Sequence, residues 1–319
     1  MKKKTNIEKY LEILKCPKDD SDLILKTNKV SNEEIIDGSL ISNKNKNIYK
    51  IENNIIRFVS NENYAKSFEY QFKEFKKVLF DKEAENMRDH TKNMFNNITN
   101  SENLEGKIVC EIGAGGGRFV NEALKQKPEL VIVLDYSGAI DQLRINLKEK
   151  KNILLLQADA LEIPLKDNKI NFSYSIGVLH HTKSVEKGFE EMCRITKPSG
   201  KVCLSVYRKG YYCNFCVTLV RKFLNLFNDR LKFKIALNYA KIIHTYIPKK
   251  ILNISLLRKI IPYVFLPNKE WSIYDTIDSI TPVYQRCFSP EEVYNLFNKN
   301  KLIDIKPTNW GVSHIGKKQ

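Results

Sequence analysis

A chain of 319 residues with 42% hydrophobic, 28% charged and 10% aromatic residues has the composition of a folded protein, which excludes collagenous and low-complexity architectures. The length allows one full α/β domain plus a smaller module. The formal net charge of +16 favours anionic partners such as nucleic acid, phosphate-bearing substrates or a membrane surface, or else reflects a Lys- and Asn-rich coding composition.

The basic start Met1-Lys2-Lys3-Lys4 lacks the apolar core of a signal peptide, because Glu8, Lys9 and Glu12 follow it. No apolar run reaches the roughly 20 residues that span a bilayer. The expected location is cytoplasmic, with membrane association open through the basic surface. The seven cysteines (16, 110, 193, 203, 213, 216 and 287) are odd in number and mostly set in apolar strands or helices. They read as reduced thiols, not as a disulfide framework.

Residues 1–60 read as a small α+β unit. A short helix from Ile7 to Lys15 leads to Cys16-Pro17-Lys18-Asp19, then to the apolar runs Leu23–Leu25, Ile48–Ile51 and Ile55–Phe58, with a polar turn at 43–47. The unit resembles the small zinc-ribbon family that activates tRNA and protein methyltransferases, whose pattern is C-P-x-C followed by C-x-x-C. Only Cys16 is present here. Asp19 stands in place of the second cysteine, and Ser42 and Asn45 fall roughly where the other pair would be. One thiolate cannot hold tetrahedral zinc, which takes about four N or S ligands, so no metal is expected.

Residues 61–104 read as a charged helical segment with aromatics at Phe68, Tyr70, Phe72 and Phe75. From 105 to 319 the pattern becomes apolar strands alternating with helices: strands at 107–112, 130–134, 153–156, 170–176 and 201–207, and helices at 117–127, 137–150 and 185–195. That alternation predicts a parallel sheet covered on both faces. Residues 209–285 interrupt it with three helix-length segments near 212–228, 231–246 and 249–261. Ser289-Pro290-Glu291-Glu292 then opens a helix, with serine as cap and proline first, and strands at 302–305 and 312–315 close the chain. The expected fold is α/β: a Rossmann-like, seven-stranded, mostly parallel sheet with helices on both faces, a helical insertion and the small N-terminal α+β module.

The central motif is Val109-Cys110-Glu111-Ile112-Gly113-Ala114-Gly115-Gly116-Gly117, a strand running into a glycine loop and a helix. Glycines let the backbone approach a ligand closely, but dinucleotide-binding proteins use such a loop too. Two details argue against a dinucleotide. Glu111 would repel a pyrophosphate yet suits a ligand carrying an ammonium group, such as S-adenosylmethionine. The third glycine of a dinucleotide fingerprint would fall at 118, which is Arg118. Asp135 ends the second strand, where an acid can accept from both ribose hydroxyls. Asp159 follows the third strand in Gln157-Ala158-Asp159-Ala160, where a carboxylate can accept from an adenine amino group.

Residues Glu111 to Tyr207 resemble the type-11 methyltransferase domain of the class I family. They carry its E-x-G-x-G-x-G loop, second-strand acid, Q-A-D-A segment, Ile163-Pro164 turn, Ser175-Ile176-Gly177-Val178-Leu179-His180-His181 and Lys197-Pro198-Ser199-Gly200, in the family's order. Ser67-Phe68-Glu69-Tyr70-Gln71-Phe72 and Phe75 resemble the F-G-Y-Q-W-x-x-F element of one branch, a helix that closes over the cofactor. The resemblance implies S-adenosyl-L-methionine as cofactor, S-adenosyl-L-homocysteine as product, and no metal. It places Glu111, Gly113, Ala114, Gly115 and Asp135 at the cofactor, together with Tyr136, Asp159, Ala160, Ser175 and Gln71.

His180 and His181 follow the fourth strand, on the rim where class I acceptors bind, and imidazole suits a base. Either can be catalytic, His181 being favoured, or both can be structural. Residues 209–269 hold twelve basic side chains against one acid, Asp229, which puts +11 of the +16 in that part of the insertion. A basic, aromatic lid suits a phosphate-bearing or lipid-linked acceptor or an anionic membrane. A solvated face on a helical cap is the alternative. Cys213-x-x-Cys216 has no second pair nearby and reads as packing. Three functions follow: O-methylation of a small molecule, sugar or lipid-linked saccharide; RNA methylation; or a non-catalytic methyltransferase-fold binding protein.

Overall fold

Five runs of apolar residues become parallel strands because alternate side chains go to opposite faces and both faces are covered. In the computed structural model, which describes residues 4–60, 63–76, 89–210, 213–248 and 260–319, these are β5 (Ile108–Ile112), β6 (Leu130–Asp135), β7 (Ile153–Gln157), β8 (Ile170–Ile176) and β9 (Thr196–Val206). Along β6, Val131 and Val133 join one apolar layer while Ile132 and Leu134 join the other. The helices of the alternation are α4 (Arg118–Lys125), α5 (Ala139–Asn146) and α6 (Val185–Ile195). α6 starts where it does because the Ser184 hydroxyl accepts from the Lys187 backbone N–H at 3.2 Å. α10 (Pro290–Lys299) opens on the expected capping box, Ser289 with Glu292.

β10 (Leu302–Pro307) and β11 (Val312–Lys318) finish the sheet, with β11 antiparallel to β9. The order from β5 to β11 is β7-β6-β5-β8-β9-β11-β10, a Rossmann-like sheet in which β11 runs against the other strands.

The sheet does not stop at seven strands. α1 (Asn6–Lys9), β1 (Leu23–Ser31), β2 (Glu34–Ser42), β3 (Ile48–Glu52) and β4 (Ile55–Arg57) make up the N-terminal ribbon, and β4 runs parallel to β7 with Ile55 opposite Leu155. Eleven strands among the described residues therefore form one sheet. Ile55 and Ile56 are fully buried and enter opposite apolar layers, so the ribbon extends the sheet's own core. Arg57 reinforces the junction through Gln157 at 2.8 Å and Asp141 at 2.6 Å.

Inside this N-terminal unit, hydrogen bonds hold the four positions compared above with zinc ligands. Asp19 accepts from the Ser42 hydroxyl at 2.7 Å, from the Asn45 backbone at 3.2 Å and from the Ser21 backbone at 3.0 Å. The Cys16 thiol lies 3.1 Å from the Tyr49 hydroxyl.

The segments flanking the core sheet supply a lid. α2 (Lys66–Glu74), α7 (Phe215–Leu224), α8 (Asp229–Tyr246) and α9 (Lys269–Ile280) share a separate apolar core that includes Phe75, Leu224, Phe233, Trp271 and Tyr274. α3 (His90–Thr99) lies against the sheet instead, burying Phe95 and Ile98. The expected helix near 249–261 lies outside the described residues but for its last two.

One expectation about the cysteines is overturned. Cys213 and Cys287 form a disulfide across 74 residues, with Cα atoms 6.2 Å apart. The contact joins the start of the lid to the irregular segment that leads into α10, and nothing local in the sequence announces it. Cys16, Cys110, Cys193, Cys203 and Cys216 are free thiols, as expected. Among the described residues no helix is long and apolar enough to cross a membrane.

Candidate active site

The carboxyl ends of the parallel strands, roofed by α2 and α9, enclose a cavity of about 420 Å³. The glycine loop after β5 forms its floor. Gly113 has φ +80°, and a Cβ there would stand 2.1 Å from Val178. Gly115 has φ +52°, and its Cβ would stand 2.2 Å from the Phe72 ring. Both positions therefore need glycine, for the backbone conformation and for the close approach. Ala114 lies on the same wall.

Asp135 pins this loop to the second strand. One carboxylate oxygen accepts from the Gly115 N–H at 2.7 Å, and the other from the Ser137 N–H at 2.8 Å and hydroxyl at 2.7 Å. A carboxylate has about four acceptor directions, so one remains for a ligand. Burial pushes its pKa up against these hydrogen bonds. Tyr136, Asp159 and Ala160 continue the wall. Asp159 accepts from the Leu161 backbone at 2.9 Å, and burial pushes its carboxyl up too.

Three expected cofactor residues stand elsewhere. Glu111 is fully buried behind the glycine loop, off the cavity wall, where it accepts from the Tyr174 hydroxyl at 2.7 Å. Burial raises its pKa to about 8, opposed by that hydrogen bond and by the charge of Arg118. Ser175 is also off the wall, because its hydroxyl donates to the Ile112 carbonyl at 2.9 Å and so serves the sheet. Gln71 turns from the cavity and ties α2 to α9, with its amide 3.3 Å from the Tyr274 carbonyl and 3.5 Å from Asp278. The aromatic face of the same helix, Phe68 and Phe72 with Phe75 just beyond, does reach the cavity.

The two histidines separate. His180 is buried off the wall, its ring 4.0 Å from Tyr207 and 4.1 Å from His181. Burial holds it well below the usual imidazole range, so it stays neutral and packs. His181 lies on the wall. Its Nδ1 is 3.2 Å from the Tyr284 carbonyl, which can only accept, so Nδ1 carries the proton and Nε2 keeps its lone pair. That Nε2 is 3.7 Å from Asp278 Oδ2.

Asp278 was not foreseen, nor were Asp275, Tyr207 and Arg118. Asp275 and Asp278 are three apart on α9 and both face the cavity. The Tyr207 hydroxyl donates to Asp278. Burial and the neighbouring Asp278 lift the Asp275 carboxyl to about 7, against the charge of Arg118. Arg118 stands on the same wall with its guanidinium over the Phe119 ring. The signal was available in the acids at i and i+3 on a helix capped by Asn268.

Residues 110–204 match the family described as "Methyltransferase domain". The chain carries a methyltransferase domain. That domain supplies the glycine loop, Asp135, Asp159 and His181, while α2 and α9 of the lid lie outside the matched stretch. A methyltransferase-like protein of Schizosaccharomyces pombe is 31% identical over 101 residues, covering 31% of this chain and 38% of that one. Phosphoethanolamine N-methyltransferase 2 of Caenorhabditis elegans is 28% identical, covering 33% and 25%. The mouse tRNA (carboxymethyluridine(34)-5-O)-methyltransferase is 28% identical, covering 32% and 15%. The matched stretch thus spans less than two fifths of these relatives' own length. Among solved structures, Haemonchus contortus phosphoethanolamine N-methyltransferase 2, in complex with phosphomonomethylethanolamine and S-adenosylhomocysteine, aligns with a TM-score of 0.44 and 15% identity, covering 78% of this chain and 46% of that one.

Proposed function

We propose that the chain is an S-adenosylmethionine-dependent methyltransferase that O-methylates a small molecule, a sugar or the sugar head of a lipid-linked saccharide. The observation that carries this reading is that one cavity holds a glycine floor, two strand-end acids and an imidazole with a free lone pair. Gly113 and Gly115 leave space that any Cβ would fill, and Asp135 and Asp159 offer acceptors suited to ribose and adenine.

When bound, S-adenosylmethionine supplies a methyl group already activated on sulfur. The chain's own residues then have three tasks. Phe68, Phe72 and Phe75 roof the cavity and exclude water. His181 Nε2 takes the proton of an acceptor hydroxyl as the new bond forms. Asp278 stabilises the imidazolium from 3.7 Å, while Tyr207 and Gln71 keep its carboxylate oriented.

The relatives include enzymes named for a phosphorylated small amine and for tRNA. An enclosed wall carrying Asp275 and Asp278 beside the base supports a small acceptor over a polyphosphate backbone, which those acids would repel. Incubation with methyl-labelled S-adenosylmethionine and fractionated cell extract tests the choice. Label is expected in a small-molecule or lipid-saccharide fraction, and label confined to RNA would overturn it.

A further inference from the structure

α7 has two unlike faces. Its inner face is fixed to the lid: Val217 and Leu224 enter the lid core, the Arg221 guanidinium donates to the Ser279 carbonyl at 3.2 Å, and Asn225 donates to the Pro282 carbonyl at 3.1 Å. Its outer face carries Phe215, Leu219 and Phe223, spaced four apart on one stripe, and Leu226 continues it into the following turn. These four are 77%, 49%, 56% and 80% exposed. Single exposed apolar residues are ordinary, but four in register on one helix mark a contact surface. The inner hydrogen bonds leave no freedom for the helix to roll and bury them.

This part of the chain is strongly basic. Lys222, Arg230 and Lys234, near the stripe in sequence, are exposed, and the segment 209–269 has twelve basic residues against one acid. We infer that the outer face of α7 docks on an anionic membrane, with Phe215, Leu219, Phe223 and Leu226 entering the interface and the basic side chains meeting lipid phosphates. Phenyl and leucyl groups with lysine and arginine at their flanks are the chemistry of an interfacial helix. A second copy of the same face would bring like charges together. Because the reverse side of α7 rests on α9, the docked face would stand directly behind the helix that bears Asp275 and Asp278. Vesicle binding does not require methyl transfer, so the docking can fail while the proposed activity stands, and the reverse.

The test is flotation of the full chain with vesicles of pure phosphatidylcholine and of phosphatidylcholine with equimolar phosphatidylglycerol. The wild type is expected to float with the anionic vesicles at least about tenfold more than with the neutral ones, and to be released by salt. Leu219→Ser with Phe223→Ser is expected to lower binding by about tenfold, whereas Ile48→Ser, an equally exposed residue on β3, leaves it unchanged. Both variants alter exposed side chains, and thermal melts check that they fold. Equal flotation with both lipids, no flotation, or loss of self-association in place of vesicle binding in the double variant overturns the inference.

Discussion

His181 Nε2 faces Asp278 Oδ2 across 3.7 Å, while the opposite ring nitrogen donates its N–H to the Tyr284 carbonyl. The carbonyl sets the tautomer, and in the proposed mechanism the carboxylate meets the charge that His181 gains as base. His181→Ala is expected to lower kcat by about a hundredfold, within the usual range for general-base catalysis, with cofactor affinity unchanged. Asp278→Asn is expected to lower kcat less, because the carboxylate acts on the base and not on the acceptor itself. Steady-state kinetics with S-adenosylhomocysteine binding as control check both. A loss of affinity in step with kcat would assign the pair a structural role.

Asp135 accepts three hydrogen bonds that bind the glycine loop to β6. Asp135→Ala is expected to weaken S-adenosylhomocysteine by tenfold or more, the equivalent of about 1.5–3 kcal/mol for a bond to a charged group. It is also expected to lower the thermal midpoint, since the Gly115 and Ser137 donors lose their partner. Calorimetric titration and thermal melts measure the two effects separately.

Glu111 predicts an inverted pH dependence. Burial raises its carboxyl from 4.5 to about 8, and Asp275 moves from 3.8 to about 7. The folded ligand-free chain therefore binds protons more tightly than the unfolded chain. The stability they contribute is complete below their unfolded values and is lost as pH rises through about 7 to 8. Urea melts are expected to show lower stability at about pH 9 than at about pH 6, and Glu111→Gln to flatten the upper part of that loss.

The Cys213–Cys287 disulfide ties the lid to the segment just before α10. Thiol titration of the denatured, unreduced protein is expected to count the five free cysteines of a chain that has seven. Closing a loop of 74 residues stabilises by about 2–4 kcal/mol, so Cys213→Ser should lower the urea midpoint accordingly. Seven reactive thiols would contradict the pairing.

The sheet and the glycine-floored end of the cavity were legible because they obey local rules. Val131 to Leu134 are apolar on both faces, Gly113 and Gly115 sit at a strand end, and Ser289 caps its helix with Glu292. What sequence reading missed is set by contacts across long separations. Ile55 and Ile56 read as the end of a separate module, yet they continue the sheet because β7 offers an open edge 100 residues on. Cys213 finds Cys287 only through the fold. Asp275 and Asp278 lie on a helix whose polar side faces a cavity, so a half-buried and a buried acid break the usual expectation that acids mark the solvent face. Ser175 and Gln71 matched the family's pattern, but their side chains are already engaged by the Ile112 and Tyr274 carbonyls.

A crystal structure with S-adenosylhomocysteine is the most direct test of the proposed cavity. The adenosine is expected between Asp135 and Asp159 over the Gly113–Gly115 floor, with the sulfur turned toward His181 and Asp278. Ligand found outside this cavity, or no binding at all, would contradict the account.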